Sequence, residues 1–157
     1  ALKHMGGFVR GMHESSGLLP RIKDGVSVEE AEQQVIDYIA KYVTAGKRPI
    51  VAGNTIGMDR RFITKYMPTL EEKLHYRSVD VSTIKELSRQ WFPAAFFGSP
   101  KKRGGHRALA DIAESIQELA YFRSAVLVAQ PGPDKAASEQ FATDVSDIYA
   151  PFVDGTA

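Results

Sequence analysis

Apolar side chains recur along this chain with a period of three to four in some stretches and of two in others. The change from one period to the other marks out the elements. Residues 1–19 place Leu2, Met5, Val9, Met12 and Leu18 at rough helical spacing, but Gly6, Gly7 and Gly11 each weaken a helix by about 1 kcal/mol relative to Ala, so this helix needs tertiary support. Ser27 and Glu30 form a capping-box pair, after which Val28, Ala31, Val35, Ile39 and Tyr42 repeat as one apolar face until Gly46. That spacing predicts an amphipathic helix. Residues 49–53 are a short apolar run of the kind buried in a sheet; they lead into Asn54 and a helix over about 58–67, which Pro68 stops. Leu70 and Leu74 mark a further helical turn, and residues 76–81 alternate as a strand. Thr83 and Glu86 repeat the capping pattern, with Ile84, Leu87 and Trp91 facing inward. Strand, helix, strand, helix is the rhythm of an α/β domain with helices around a mixed sheet.

Between Phe92 and Gly105 the prolines, glycines and the triplet Lys101, Lys102 and Arg103 predict an exposed loop. The helix after it carries Leu109, Ile112, Ile116, Leu119 and Ala120 on one stripe, with Asp111 at the stripe's edge, where its carboxylate can reach a cleft. Beyond residue 128 the composition changes. Asp134, Glu139, Asp144, Asp147 and Asp154 face a single lysine, Lys135, yet Phe141, Val145, Ile148, Tyr149 and Phe152 keep helical spacing. The chain therefore divides into a domain over 1–128 and an acidic tail over 129–157, expected to dock as a helix on the body or on a second subunit.

Composition narrows the function classes. At 157 residues, 43% hydrophobic and 25% charged, the chain fits one globular domain with an ordinary core. Twenty basic against nineteen acidic side chains give a net charge of +1, which argues against a long nucleic-acid groove. The distribution is more informative, because residues 87–110 contain no Asp or Glu while Arg89, Lys101, Lys102, Arg103 and Arg107 supply a local positive field suited to a small anion. The absence of cysteine excludes disulfides and thiolate metal sites and fits a cytoplasmic protein. No apolar run approaches the ~18 residues of a membrane span, so no membrane partner is expected. The chain begins at Ala1, and an upstream segment is expected to be missing.

Two stretches carry chemistry. GNTIGMDRRF places Asp59 at a helix start, and HRALAD places His106 in a glycine loop with Asp111 at a second helix start. Carboxylates hold hard ions such as Mg²⁺ or Mn²⁺, and an imidazole near its ordinary pKa of about 6.5 can accept a proton from water beside them. The pattern is half of a metal-dependent nuclease site, for no Asp-x-Glu pair occurs anywhere in the chain. Other polar residues have plainer readings. Asp80 reads as a strand-end or capping group, Ser82 and Thr83 as hydroxyls able to cap amides, Lys101 to Arg103 as a solvated loop, His4 and His75 as structural or surface residues, and Trp91 as core.

The segments MHESSGLL, AGNTIGMDRRFITKYMP, LHYRSVDVSTIKELSRQW and HRALADIAESIQEL are similar to those of the oligoribonucleases, members of the DEDDh group of 3′-to-5′ exonucleases with an RNase H-like fold. The resemblance runs from about Ala1 to Val128, and the acidic tail with its PGP motif resembles the actinobacterial branch. It implies that Asp59 and Asp111 are the third and fourth acidic ligands of two Mg²⁺ or Mn²⁺ ions and that His106 is the general base. It implies 5′-phosphate contacts from Thr55, Arg77, Ser82 and Thr83, a base contact from Phe8, and Tyr76 and His13 working across a homodimer interface. Short oligoribonucleotides are the implied substrate, degraded to mononucleotides. The strand bearing the Asp-x-Glu, which supplies the first two ligands in that family, is absent, so the fold is expected to be amino-terminally truncated. Two other readings stay open from the residues alone: a DEDDh exonuclease acting on DNA or longer RNA ends, and a non-catalytic nucleotide-binding or dimerisation module.

Overall fold

The computed structural model describes residues 5–101 and 108–153, with residues 151 and 152 described by their backbone alone. In chain order these form α1 (Gly7–Ser15), a 3-10 helix (Leu19–Asp24), α2 (Val28–Tyr42), β1 (Val51–Gly53), α3 (Ile56–Tyr66), α4 (Pro68–Lys73), β2 (Ser78–Asp80), α5 (Val81–Trp91), α6 (Pro93–Phe97), α7 (Ala108–Val126) and α8 (Lys135–Val153). The two strands pair in parallel, Val51 opposite Ser78, Ala52 opposite Val79 and Gly53 opposite Asp80. A parallel pair needs a crossover, and α3 with α4 supplies it.

Local chemistry explains most boundaries. Ser27 Oγ accepts the amide of Glu30 at 3.1 Å, so the expected cap starts α2. Pro68 ends α3 as expected, but it also occupies the first position of α4, where a missing N–H costs nothing. That short helix buries Leu70, Leu74 just after it is also buried, and the amide of Leu70 donates to Glu32 Oε1 of α2 at 2.8 Å. The core is completed by Ile56, Val81 and Phe122, the last with none of its surface exposed.

Several expectations about faces are corrected. On α2 the inward stripe runs through Glu32, Ile36 and Ile39, while Val28, Val35 and Tyr42 are exposed, because the contact with α4 draws Glu32 inward. Thr83 does not cap α5. Asp80 does, its side chain accepting the amide of Ser82, so the helix begins three residues earlier. The buried positions of α5 are accordingly Val81 and Ser88, and Trp91 is 66% exposed, not core. The segment expected as a loop contains α6, which seats against α7 through Tyr121 Oη donating to Ala95 O at 2.8 Å. Gly98 ends α6 there, and a methyl at its position would meet Tyr121 Oη at 3.1 Å. On α7 the buried residues are Glu118 and Phe122, while Leu109, Ile112 and Ile116 are exposed. Glu118 is balanced by Lys85 of α5, Nζ to Oε1 2.7 Å, which joins the two helices. The tail does form a long helix, α8, although the principal packing contacts among the described elements do not involve it.

Candidate active site

Asp59 and Asp111 are 52 residues apart in sequence and line the same cavity, of about 550 Å³. Asp59 stands in the first turn of α3, just beyond the carboxyl end of β1, and Asp111 in the first turn of α7. The remaining wall is Ala52 and Gly53 of β1, Asn54, Val81 and one face of α7. The exposed stripe on α7 thus faces this cavity: Ile112, Ile116 and Leu119 all line it. Both carboxylates are exposed to solvent. Two oxygen donors of this kind suit a hard divalent cation, but among the described residues no three acidic or histidine side chains are grouped so that they could hold a metal ion. In their chemistry the residues present fit part of the ligand set of a divalent ion. His106 lies outside the described residues, as do Lys102, Arg103 and Arg107.

Beside the cavity, a hydrogen-bonded cluster gathers the ends of both strands. Thr55, the residue before α3, has φ 54° and ψ 36°, the left-handed region that a β-branched residue rarely enters. Its amide donates to Asp80 Oδ1 and to Ser82 Oγ, both at 2.9 Å, and its hydroxyl lies 3.2 Å from Ser82 Oγ. Asp80 Oδ1 also accepts the amide of Ser82 at 2.9 Å. Ser82 Oγ in turn donates to Asn54 Oδ1 at 3.2 Å, and Asn54 Nδ2 donates to Ser115 Oγ of α7 at 2.9 Å. Ser115 Oγ donates to the carbonyl of Asp111 at 2.8 Å. A continuous run of hydrogen bonds therefore joins the Thr55 and Ser82 hydroxyls to the helix turn that carries Asp111. Thr83 follows in the first turn of α5, exposed.

Tyr76 and Arg77 precede β2. The Arg77 guanidinium lies 5.4 Å from the centroid of the Tyr76 ring, which stacks on His75 at 4.5 Å and is 74% exposed. Arg60 holds this segment: its Nη1 donates to the carbonyls of His75 at 2.8 Å and Tyr76 at 3.1 Å, while Nε and Nη2 both reach Glu71 Oε1 of α4. Phe8 and His13 sit on α1, which packs chiefly on the 3-10 helix; neither lines the cavity. Phe8 is 86% exposed, and His13 is half-buried with Nδ1 lacking a partner among the described residues. Of the basic residues read from 87–110, Arg89 hydrogen-bonds Glu86 one turn away and holds that carboxyl below the usual carboxylate range.

Sequence reasoning missed Asn54, Arg60 and Ser115. Arg60 is adjacent to Asp59 within GNTIGMDRRF, but no local pattern distinguishes its half-buried fork from the exposed Arg61. Ser115 lies one turn beyond Asp111, and that spacing alone could have flagged it.

An exonuclease family model matches residues 18–119, a span that holds Asp59, Asp111 and the Thr55–Asp80–Ser82 cluster. An oligoribonuclease of Leifsonia xyli is 56% identical over 133 residues, which cover 85% of this chain and 64% of that one. One from Cutibacterium acnes is 55% identical over 142 residues, covering 90% and 70%, and one from Streptomyces griseus 49% identical over 152, covering 96% and 75%. The chain thus spans from just under two thirds to three quarters of the length of these curated relatives. They are actinobacterial, as the resemblance implied, and the α/β architecture is that of RNase H-like exonucleases. With the matched span, the identities and the two carboxylates on one cavity in agreement, the chain belongs to the oligoribonuclease family of exonucleases.

Proposed function

We propose that the protein is a 3′-to-5′ exoribonuclease that hydrolyses very short 5′-phosphorylated RNA, such as dinucleotides, to mononucleotides. The observation that carries this is the convergence of Asp59 and Asp111 on one cavity, with the hydroxyls of Thr55 and Ser82 beside it. Divalent ions, Mg²⁺ or Mn²⁺, supply charge neutralisation at the phosphorus centre and acidify water when bound. Asp59 and Asp111 would hold them in part, and the remaining carboxylates would come from residues corresponding to the additional length of the relatives. His106, five residues before Asp111, takes the proton from the attacking water.

Thr55, Ser82, Thr83 and Arg77 grip the 5′-phosphate, whose oxygens accept from hydroxyl and guanidinium donors. A grip on the far end of the substrate, without a long basic track, sets the length to a few nucleotides. The exposed rings of Phe8 and Tyr76 suit stacking on bases, and Tyr76 and His13 act across a homodimer interface. Among the described residues no helix is long and apolar enough to cross a membrane; a cytoplasmic location belongs to the same proposal and is supported by the absence of cysteine. Neither the DNA-directed nor the non-catalytic reading is favoured by the relatives.

The test is hydrolysis in Mn²⁺ by the protein extended by its upstream residues, comparing a 5′-phosphorylated dinucleotide with a 20-nucleotide RNA. The dinucleotide is expected to be cleaved at least tenfold faster, and His106→Ala to lose turnover by a factor of about 100 or more while retaining binding. Equal rates on the two substrates would reject the length assignment, and undiminished turnover in His106→Ala would reject the base.

A further inference from the structure

We propose that Asp80 is a positioning residue for 5′-phosphate recognition, acting through two backbone amides and without touching the substrate. The proposal rests on the reading above that Thr55 and Ser82 grip that phosphate. A carboxylate beside a phosphate repels it, so Asp80 is unsuited to direct contact. Its Oδ1 is instead engaged with the amides of Thr55 and Ser82, each at 2.9 Å.

The Thr55 amide bond has no role in capping α5. It fixes a residue whose left-handed backbone is costly and which persists only where its surroundings over-determine it. The consequence appears in the side chain. Thr55 precedes α3, where a threonine hydroxyl ordinarily caps an amide of the first turn, yet its side chain makes no capping bond and its hydroxyl lies 3.2 Å from Ser82 Oγ. In the free protein Ser82 Oγ donates to Asn54 and the Thr55 hydroxyl to Ser82 Oγ, so each hydroxyl turns its single proton from these partners to a phosphate oxygen when the substrate binds. The Asp80 acceptor oxygen, together with the bond from the Thr55 amide to Ser82 Oγ at 2.9 Å, thereby holds both hydroxyl oxygens side by side at the strand ends before any phosphate arrives.

Asp80→Ser separates this role from helix capping. Serine caps α5 well, but its hydroxyl is one bond shorter and falls short of Thr55 across the strand pair. The measurement is the ratio of dissociation constants for a 5′-hydroxyl and a 5′-phosphorylated dinucleotide in Ca²⁺, using the full-length protein, with melting temperature recorded in parallel. Asp80→Ser is expected to lose about tenfold of the preference for the phosphate, the worth of one well-placed hydrogen bond, with the 5′-hydroxyl dinucleotide binding unchanged. Asp80→Asn, which keeps the Oδ1 acceptor, is expected to retain most of it. Full preference in a folded Asp80→Ser protein overturns the proposal, as does loss of preference in Asp80→Asn equal to that in Asp80→Ser. Thr55→Ala and Ser82→Ala keep the two failures apart: if neither lowers the preference, the phosphate-grip reading itself fails, whereas loss in these two without loss in Asp80→Ser rejects only the role of Asp80.

Discussion

Asp59 and Asp111 are side chains whose function and whose contribution to stability point in opposite directions. Both are exposed, and each adds negative charge to a cavity that the other already makes negative. Asp111→Asn is therefore expected to weaken Mn²⁺ binding at least tenfold by titration calorimetry while moving the unfolding free energy by no more than about 0.5 kcal/mol, as for other exposed positions. Leu70→Ala is the contrast. With 3% of its surface exposed, Leu70 is expected to cost about 2–5 kcal/mol when truncated and to leave the intrinsic affinity for Mn²⁺ unaltered. Asp59 and Asp111 were legible in the sequence because their types and their places in first helical turns are local facts. Asn54 was not, since it matters through partners 28 and 61 residues away, and Ser115 was legible only in its spacing one turn beyond Asp111. Thr83 was misread as a cap for a related reason: Asp80 offers an equally good local cap, and only the strand pairing that brings Thr55 within reach of the same oxygen decides between them.

Elements are joined here by a few side chains that each bridge more than one neighbour. Arg60 is the clearest, tying α3 to α4 through Glu71 and to the segment entering β2 through the carbonyls of His75 and Tyr76. Lysine has one nitrogen head and cannot span both sets. Arg60→Lys is expected to cost about 2 kcal/mol, seen as a fall in Tm of about 4–8 °C, and to raise KM for the dinucleotide more than it lowers kcat, because Tyr76 and Arg77 lose their support. Element types were well read from periodicity, and their faces less well. Val28, Val35 and Tyr42 share a stripe on α2 that the sequence offers as inward, yet α4 packs beside them on the Glu32 side. The α7 stripe was likewise a correct pattern with an unforeseen use, since Ile112 and Ile116 face the cavity that holds the carboxylates. The short α6 was hidden by prolines and glycines that ordinarily mark a loop, and Pro93 turned out to start a helix.

For the whole molecule, surface area is the telling quantity. A folded monomer of this mass exposes about 7,800 Å² on the usual scaling, whereas this chain alone exposes 12346 Å². Much of what lies open is apolar: Met58 and Phe62 on α3, Ile112 and Ile116 on α7, and Phe141, Val145, Ile148 and Tyr149 on α8 are each more than half exposed, and Tyr66 on α3 is 49% exposed. Patches of this extent on a lone chain mark faces that other polypeptide covers. On the homodimer proposal a second subunit would cover part of these faces, and residues corresponding to the additional length of the relatives would cover another part. Two consequences separate these contributions. The full-length protein is expected to run at twice its monomer mass by light scattering at micromolar concentration, and dilution into the nanomolar range should raise the fluorescence of an apolar dye as subunits part. Residues 1–157 by themselves are expected to bind the dye strongly at every concentration, because dimerisation covers only some of the open faces. A full-length protein that stays monomeric without binding dye would reject the dimer and assign all of the covering to the additional residues.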